Sequence, residues 1–580
     1  MKLGDATIKD IDINSLVDVF PLATAVGRMA LRARLEAPTS DPVDLLARQA
    51  EVKTSRALCS AKTAEIAGAL ATLKACEADV VSVGSASSDQ RLLEYYNQIL
   101  WATDSMAARL NHMGWLTELV VLFRTILLPG LTIILPLFIL IAPFLLYNFI
   151  LKKDLSVTGY FDLLQGSIKK AMPSVLGAPR FAGKGGLLEF GEQFAHIAIA
   201  FVMFGFSAWS QVSSALSMRG IVEDMRKRAT SVVQFTGAVT TLRSILGHTK
   251  EPIVWSEGSL GVFGDAWNDP SRIHRLVEEA GSLDMLIAVA SQKRICFPSY
   301  DVSGAGLHIQ DIYHPGLDQE KRVYNTVTMN GASSTKQHIL LTGPNRGGKS
   351  TLLKAVGSAV LMSQTLGIVF ARKASLPVFE SIVTALSPAD TLGKLSLFEA
   401  EIEFAKNVKA LASEGGGPMF LMMDEIFHGT NAHDGVEASQ VFLDELYALQ
   451  APIYSIVSTH YMDLPDRYGS KSTQNLCMEA SLDPVSDRLQ YTYRLRPGKN
   501  GHSSVREILR ERGLLLPKAE PLMPSKSAPL KSAEPLQTRP LPLSKSAPSE
   551  PLQTRPLPLS KSAPSEPSRS PPQKKVSASE

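Results

Sequence analysis

Four groups of residues in this chain carry chemistry by type and spacing, and the first is the run LTGPNRGGKST, Leu341 to Thr351. From Gly343 to Ser350 it has the form G-x-x-x-x-G-K-[ST], the pattern of a phosphate-binding loop. Gly343 and Gly348 leave room for the backbone to wrap a triphosphate, and N–H groups at a helix start face the anionic oxygens. The nucleotide-binding stretch is therefore Gly343, Pro344, Asn345, Arg346, Gly347, Gly348, Lys349, Ser350 and Thr351. Lys349 is expected to reach the β- and γ-phosphates of ATP and to count among the catalytic residues, while Ser350 offers its hydroxyl to Mg²⁺.

The second group is MFLMMDEIFHGTNAHDG, where an apolar strand from Met419 to Met423 leads into two carboxylates. Asp424 is placed to hold the Mg²⁺, and Glu425 to act as base toward an attacking water. An acidic pair ending a buried strand suits phosphoryl hydrolysis, although by itself it also describes a solvated acidic turn. Third, His460 in YSIVSTHYMDL follows another apolar run and is expected to sense the γ-phosphate through a hydrogen bond. Fourth, LSLFEAEIEF places Ser396 three residues before Glu399, which reads equally as a helix capping box.

These residues need strands to hold them. Gln337 to Leu341, Met419 to Met423 and Pro452 to Val457 are short apolar runs alternating with helical stretches, which predicts an α/β domain with a mainly parallel sheet from residue 298 to 516. Upstream, Asp44 to Lys74, Ile221 to Leu246 and Arg272 to Lys293 have helical periodicity and few β-branched runs, so residues 1–124 and 219–297 are expected to form an all-α core with lever helices.

Between them the texture becomes apolar. No charged residue occurs between Arg124 and Lys152, and TILLPGLTIILPLFILIAPFLLYNFIL is long enough to cross a bilayer as a helix. Pro129, Pro136 and Pro143 recur every seven residues, so they share a face. A second segment, Phe194 to Met218, is more polar but rich in small residues suited to close helix contact. Residues 125–218 thus read as a membrane hairpin of two spans, against the alternatives of buried core helices or a re-entrant hairpin. Two spans return the chain to its starting side, so the localisation expected is a multi-pass membrane protein with its nucleotide domain in the cytosol or another ATP-containing compartment.

The net charge of +3 neither supports nor excludes a nucleic-acid partner. Cys59, Cys76, Cys296 and Cys477 have no metal-ligand spacing and fit reduced thiols, and the polar N-terminus has no form of a cleavable export signal. Residues 517–580 are rich in Pro, Ser, Lys and Leu, with EPLQTRPLPLSKSAPS repeated from Glu534 and Glu550. Such a tail is expected to be disordered, with RPLPL as a candidate ligand for a polyproline-binding partner.

Taken in order, TGPNRGGKST, DEIFHGTNAHDG and STHYMDL resemble the MutS family, the mismatch-repair ATPases of the ABC-type P-loop superfamily. IYHPGL at Ile312 to Leu317, VYN at Val323 to Asn325 and YRLRPGKNGHSSVREI from Tyr493 are similar to flanking parts of that ATPase domain. TAVGRMALRARLEAPTSDPVDLLARQAEV from Thr24 and LDMLIAVASQKRICFP from Leu283 look like the family's helical core and returning levers. The resemblance spans about residues 10–115 and 220–515. It implies a homodimer with two composite ATP sites, in which Ser396 contacts the partner's γ-phosphate and Glu401 matches the acidic residue after the signature.

The departures from the family pattern are specific. Arg346 stands where the family usually has methionine, and Phe427-His428 replaces the usual Gly-Arg. On this resemblance the mismatch-reading and connector domains are expected to have no place here, and two apolar segments are expected to stand where the DNA-gripping clamp would extend. Three functions stay open at this level. One is a membrane-anchored MutS-type ATPase with DNA binding and a repair-like role; another is an ABC-like ATPase acting on a membrane or membrane-protein partner without DNA. The third is a scaffold that holds ATP without turnover.

Overall fold

In a computed structural model, residue 3 and residues 5–514 are described, except 86–88, 104, 161, 164–185, 302–305, 331–336, 387–395, 450, 470–472 and 484–487. The expected repeat tail at 517–580 and much of the loop between the apolar segments lie outside the described residues. Ten strands are seen among the described residues: β1 Ser299–Asp301, β2 Gly306–Ile312, β3 Asn325–Asn330, β4 His338–Thr342, β5 Lys373–Pro377, β6 Ser381–Ala385, β7 Met419–Met423, β8 Ile453–Ser458, β9 Thr473–Asp483 and β10 Arg488–Pro497. They form two sheets, ordered β10-β9-β4-β8-β7-β6 and β1-β5-β2-β3.

The larger sheet is parallel from β9 to β6, and only the edge strand β10 pairs antiparallel. Strands β4, β7 and β8 are buried at every residue, as expected of central strands covered on both faces. Parallel pairing aligns their C-terminal ends, with Leu341 beside Ser458 and Met423 beside Val457. Residues that follow those strands therefore meet at one edge of the sheet. The smaller, mixed sheet was not foreseen from sequence, because its strands are short and none is buried throughout.

The helical region is as expected in type but not in every limit. The stretch expected as one helix over Asp44 to Lys74 is two, Pro42–Ala61 and Thr63–Ser85, divided at Lys62 where the backbone leaves the helical region. Thr24 and Asp41 start their helices by accepting the N–H of Gly27 and Val43, the side-chain cap that replaces missing intrahelical partners. Buried Asp284, on the helix Pro270–Ala290, accepts Thr24 N–H and Oγ1 at 2.9 and 2.7 Å and so fixes the first helices to the returning one. A single apolar cluster runs from these helices into the nucleotide domain, through Phe20, Val52, Leu366 and Phe370. Asp10 extends the same junction, accepting Thr384 Oγ1 at 2.9 Å and Leu386 N–H at 2.8 Å beside β6.

The apolar region differs from the two expected spans. A continuous helical arm runs from Gly114 to Ile150, with π-helical turns at Phe123–Leu127 and Leu146–Ile150. At a rise of ~1.5 Å per residue it is about 55 Å long. Pro136 and Pro143 lie inside it without ending it. Among the described residues one stretch, Gly114–Pro136, is long and apolar enough to cross a membrane, with 11% of its apolar window buried. The segment Phe194 to Met218 is not a separate arm: it is part of one helix of 61 residues, Gly186–Leu246. Gly220 alone does not stop that helix, and beyond it Ile221, Met225, Val232 and Phe235 pack into the helical core.

Candidate nucleotide site

The phosphate loop lies between β4 and the helix Lys349–Thr365. Its two framing glycines are required by the backbone: Gly343 has φ 146° and Gly348 has φ 94°, values that side chains disfavour. At Gly343 a Cβ would also stand 3.1 Å from that of Met478. Gly347 N–H donates to Pro344 O at 3.0 Å and closes the turn, after which the helix N-terminus faces the cleft. Asn345, Arg346, Ser350 and Thr351 are exposed, whereas Lys349 is buried and donates its ammonium to Gly343 O at 3.1 Å.

The other chemistry-bearing residues converge on this loop because they end neighbouring strands. Asp424 and Glu425 follow β7, and His460 follows β8 by two residues. Ser350 Oγ donates to Asp424 Oδ2 at 2.5 Å, and Ser458 Oγ donates to the other carboxylate oxygen. His460 Nε2 lies 2.7 Å from Glu425 Oε1, and Lys349 Nζ lies 3.4 Å from the same imidazole nitrogen and 3.9 Å from the same carboxylate. Lys349, Ser350, Asp424, Glu425 and His460 are therefore one contiguous cluster.

The hydrogen bond with His460 holds the Glu425 carboxyl below its usual range, against the opposing effect of burial. Burial pulls Lys349 down from the usual ammonium range, while Glu425 and Asp424 act in the other direction. Ser350 and Asp424 present hard oxygen donors side by side, a donor set that fits Mg²⁺, which takes few protein ligands and keeps several waters.

Ser458 was missed by sequence reasoning. It donates to Asp424 and also accepts the N–H of Glu425 at 3.0 Å, so one buried hydroxyl orients both acidic residues. Its signal was weak, a serine in a strand, and only its place two residues before His460 marked it. Tyr493 carries no local signal of its own, yet a register shift in β10 turns it toward the loop, where a Cβ on Gly348 would lie 3.2 Å from its ring. Together with Tyr313, His314, Asn325, Lys349 and Glu425 it lines a cleft of about 610 Å³. The two flanking runs IYHPGL and VYN thus border the same cavity as the phosphate loop. Arg322 stacks over Tyr313 at 4.7 Å, and burial holds His314 below the usual imidazole range.

Ser396 and Glu401 lie apart from this cleft, at the start of the helix Leu397–Glu414. Ser396 forms the full capping box: Glu399 N–H donates to its hydroxyl at 3.2 Å, and its own N–H donates to Glu399 Oε2 at 2.8 Å. Glu401 is engaged within the chain: Oε2 accepts Gly429 N–H at 3.2 Å, and Oε1 lies 2.9 Å from His428 Nδ1. Of the sites that depart from the family pattern, Arg346 adopts φ 66° and pairs with Glu511 of the helix Val505–Glu511. Phe427 is buried with φ 51°.

Residues 339–513 match the family model for MutS domain V. The chain is 31% identical over 244 residues to an endonuclease MutS2 of Geobacillus kaustophilus, covering 41% of this chain and 30% of that protein. It is 28% identical over 253 residues to a DNA mismatch repair protein MutS of Pelotomaculum thermopropionicum, covering 42% and 28%. An endonuclease MutS2 of Staphylococcus epidermidis is 26% identical over 295 residues, covering 49% and 35%. The chain thus spans about a third or less of the length of these relatives. The match covers β4 to β10 and the whole cluster around Lys349, so the nucleotide domain of this chain is a MutS domain V.

Proposed function

We propose that the chain is a Mg²⁺-dependent ATPase that closes as a homodimer on ATP and reopens on hydrolysis, moving its helical levers. The observation that carries this reading is the convergence of Lys349, Ser350, Asp424, Glu425 and His460 in one contiguous cluster, of which Lys349, Ser350 and Glu425 line the cleft. In it, N–H groups of the phosphate loop and Lys349 bind the β- and γ-phosphates. Ser350 and Asp424 would hold Mg²⁺, which supplies charge neutralisation between the phosphates, and Ser458 keeps Asp424 oriented. Glu425 stays ionised and orients the attacking water, while His460, between Lys349 and Glu425, meets the terminal phosphate.

Ser396 of one subunit would complete the other subunit's site, exchanging its capping role for a phosphate contact. An ATP-holding scaffold without turnover is disfavoured by an intact Glu425 in contact with His460. The decisive experiment is ATP turnover compared with Glu425→Gln: the variant should bind ATP and lose hydrolysis, and equal rates would remove Glu425 as base.

Two loads for this motor are supported by different observations. Relatives named for mismatch repair and endonuclease activity motivate DNA binding in a repair-like role. Binding to duplex and mismatched DNA should then weaken as salt rises, since phosphate contacts release counterions. The exposed apolar arm instead favours a membrane or membrane-protein partner, with the nucleotide domain in the ATP-containing compartment. Alkaline extraction separates the two: retention in the membrane pellet supports the arm as an anchor, and full release counts against it.

A further inference from the structure

The loop that carries Glu425 is backbone-strained. Glu425 and Phe427 both lie in the left-handed region, at φ 55° and 51°, a conformation that non-glycine residues keep only when their surroundings enforce it. Two of the restraints come from the strand β8 side. Ser458 Oγ accepts Glu425 N–H at 3.0 Å, and Tyr461 OH donates to Phe427 O at 3.0 Å. Others come from the loop itself, from Phe442 edge-on to the Phe427 ring, and from the helix Leu397–Glu414. The Phe427 ring meets Phe398 of that helix edge-on at 6.1 Å between centroids. His428 Nδ1 lies 2.9 Å from Glu425 O and 2.9 Å from Glu401 Oε1, and Gly429 N–H donates to Glu401 Oε2 at 3.2 Å.

This arrangement fixes the role of the imidazole. Nδ1 lies near two oxygens that can only accept, so it carries the hydrogen in either charge state, bonding the Glu425 carbonyl with the Glu401 carboxylate close beside it. The Glu401 side chain is 15% exposed, which keeps the contact partly shielded from water. One side chain therefore joins the backbone of the proposed base to the first turn of a helix that also begins with the Ser396 capping box.

We infer that His428 is a positioning residue, which ties Glu425 to the helix Leu397–Glu414 so that the position of this helix sets the orientation of the base. The inference rests on the ATPase reading with Glu425 as base. It explains why Glu401 is committed within its own chain: it anchors the tie rather than facing a second subunit. A shift of the helix, whatever causes it, would pull on Glu425 O through His428 before it reached the carboxylate. The Ser458 contact on the adjacent N–H acts as the fixed point.

Arginine at position 428 can donate to the same two oxygens, whereas alanine cannot. His428→Ala should lower kcat by about ten- to a hundredfold, as expected for misplacing a catalytic group, with ATP affinity within about twofold. His428→Arg should restore most of the turnover. Glu401→Gln should reduce kcat in the same direction, and the double variant His428→Ala/Glu401→Gln should be no slower than the worse single one. The full chain is used throughout, with circular dichroism melting to confirm folding. A loss confined to ATP affinity, failure of arginine to rescue, or losses that multiply in the double variant would each overturn the tie. If the unaltered protein turns over ATP and Glu425→Gln does not, normal kcat in His428→Ala sinks this inference alone. Absence of turnover in the unaltered protein sinks the ATPase reading and the tie with it.

Discussion

The helix Lys349–Thr365 and the helical arm from Gly114 to Ile150 are both rich in aliphatic residues, and the more apolar of the two is the one left uncovered. In the first, Leu353, Val356 and Val360 are fully buried beneath the sheet and against the N-terminal helices. In the second, Leu131, Ile134, Leu135 and Phe138 are about half to two-thirds exposed. Each such side chain forgoes ~1.5–3 kcal/mol of burial, so the arm offers an apolar surface that the described residues do not cover. Hydrophobicity alone does not tell which helix is core. The phosphate-loop helix is covered because the N-terminal helices and β2 pack against it, whereas the arm packs on the helix Ser259–Asn268 at its base and farther out has part of the helix Gly186–Leu246 beside it.

The sharpest way to break this comparison is to place the same charge in both helices. Val356→Asp should cost more than about 4 kcal/mol and unfold the nucleotide domain, because a carboxylate would be buried without a partner. Ile134→Asp, at a position 64% exposed, should change stability by no more than about 0.5 kcal/mol while releasing the protein from membranes in a flotation assay. Comparable destabilisation by both, measured by denaturant unfolding, would show that the arm is covered within the folded protein.

A medium effect should come from pH. His338 is buried beside Ser455, and burial lowers its pKa from 6.5 to about 4. The unfolded chain therefore binds the proton first, and stability is lost as pH falls from about 6.5 toward about 4, by up to roughly 3 kcal/mol. Glu425 has the same sign through a different cause. Its lowered pKa stabilises the fold above the ordinary carboxylate value, a contribution lost as pH falls through the lowered value. Denaturant melts across this range should show a smaller acid-side loss for His338→Leu; an unchanged profile would remove His338 as the source. The arm carries no comparable titrating group between Arg124 and Lys152.

The smallest stability change is expected at Ser396. Ser396→Ala should cost about 1 kcal/mol through the lost cap. If turnover falls no more than the folded fraction predicts, the serine is a cap only. A much larger fall in turnover would support its contact with the partner's phosphate.

Much of the site was legible because each of its residues sits in a local pattern. Gly343 to Ser350 is continuous, Asp424 and Glu425 end an unbroken apolar run, and His460 follows another. What remained hidden was long-range and made of common residue types. Ser458 needed the pairing of β7 with β8, the Glu401 and His428 contact needed a helix folded against a loop, and Tyr493 needed a bulge in an edge strand. The fold class followed from alternating strands and helices, but the mixed second sheet did not, since its half-buried strands carry little periodicity. Of the two expected spans, one stretch passes by length and composition among the described residues, and the second finds no support, for a related reason. Apolar composition marks a helix without marking where it stops, and the second segment runs on as one helix into the packed core.

The sequence by itself determined the phosphate loop, the acidic strand end and the helical character of the levers, because glycine stereochemistry and apolar periodicity act over a few residues. Tertiary structure alone decided that Lys349, Glu425 and His460 touch, that Glu401 is committed to His428, and which apolar helix is covered. Those outcomes depend on strand order and on distant neighbours, and burial is a property of the surroundings that a segment cannot carry alone.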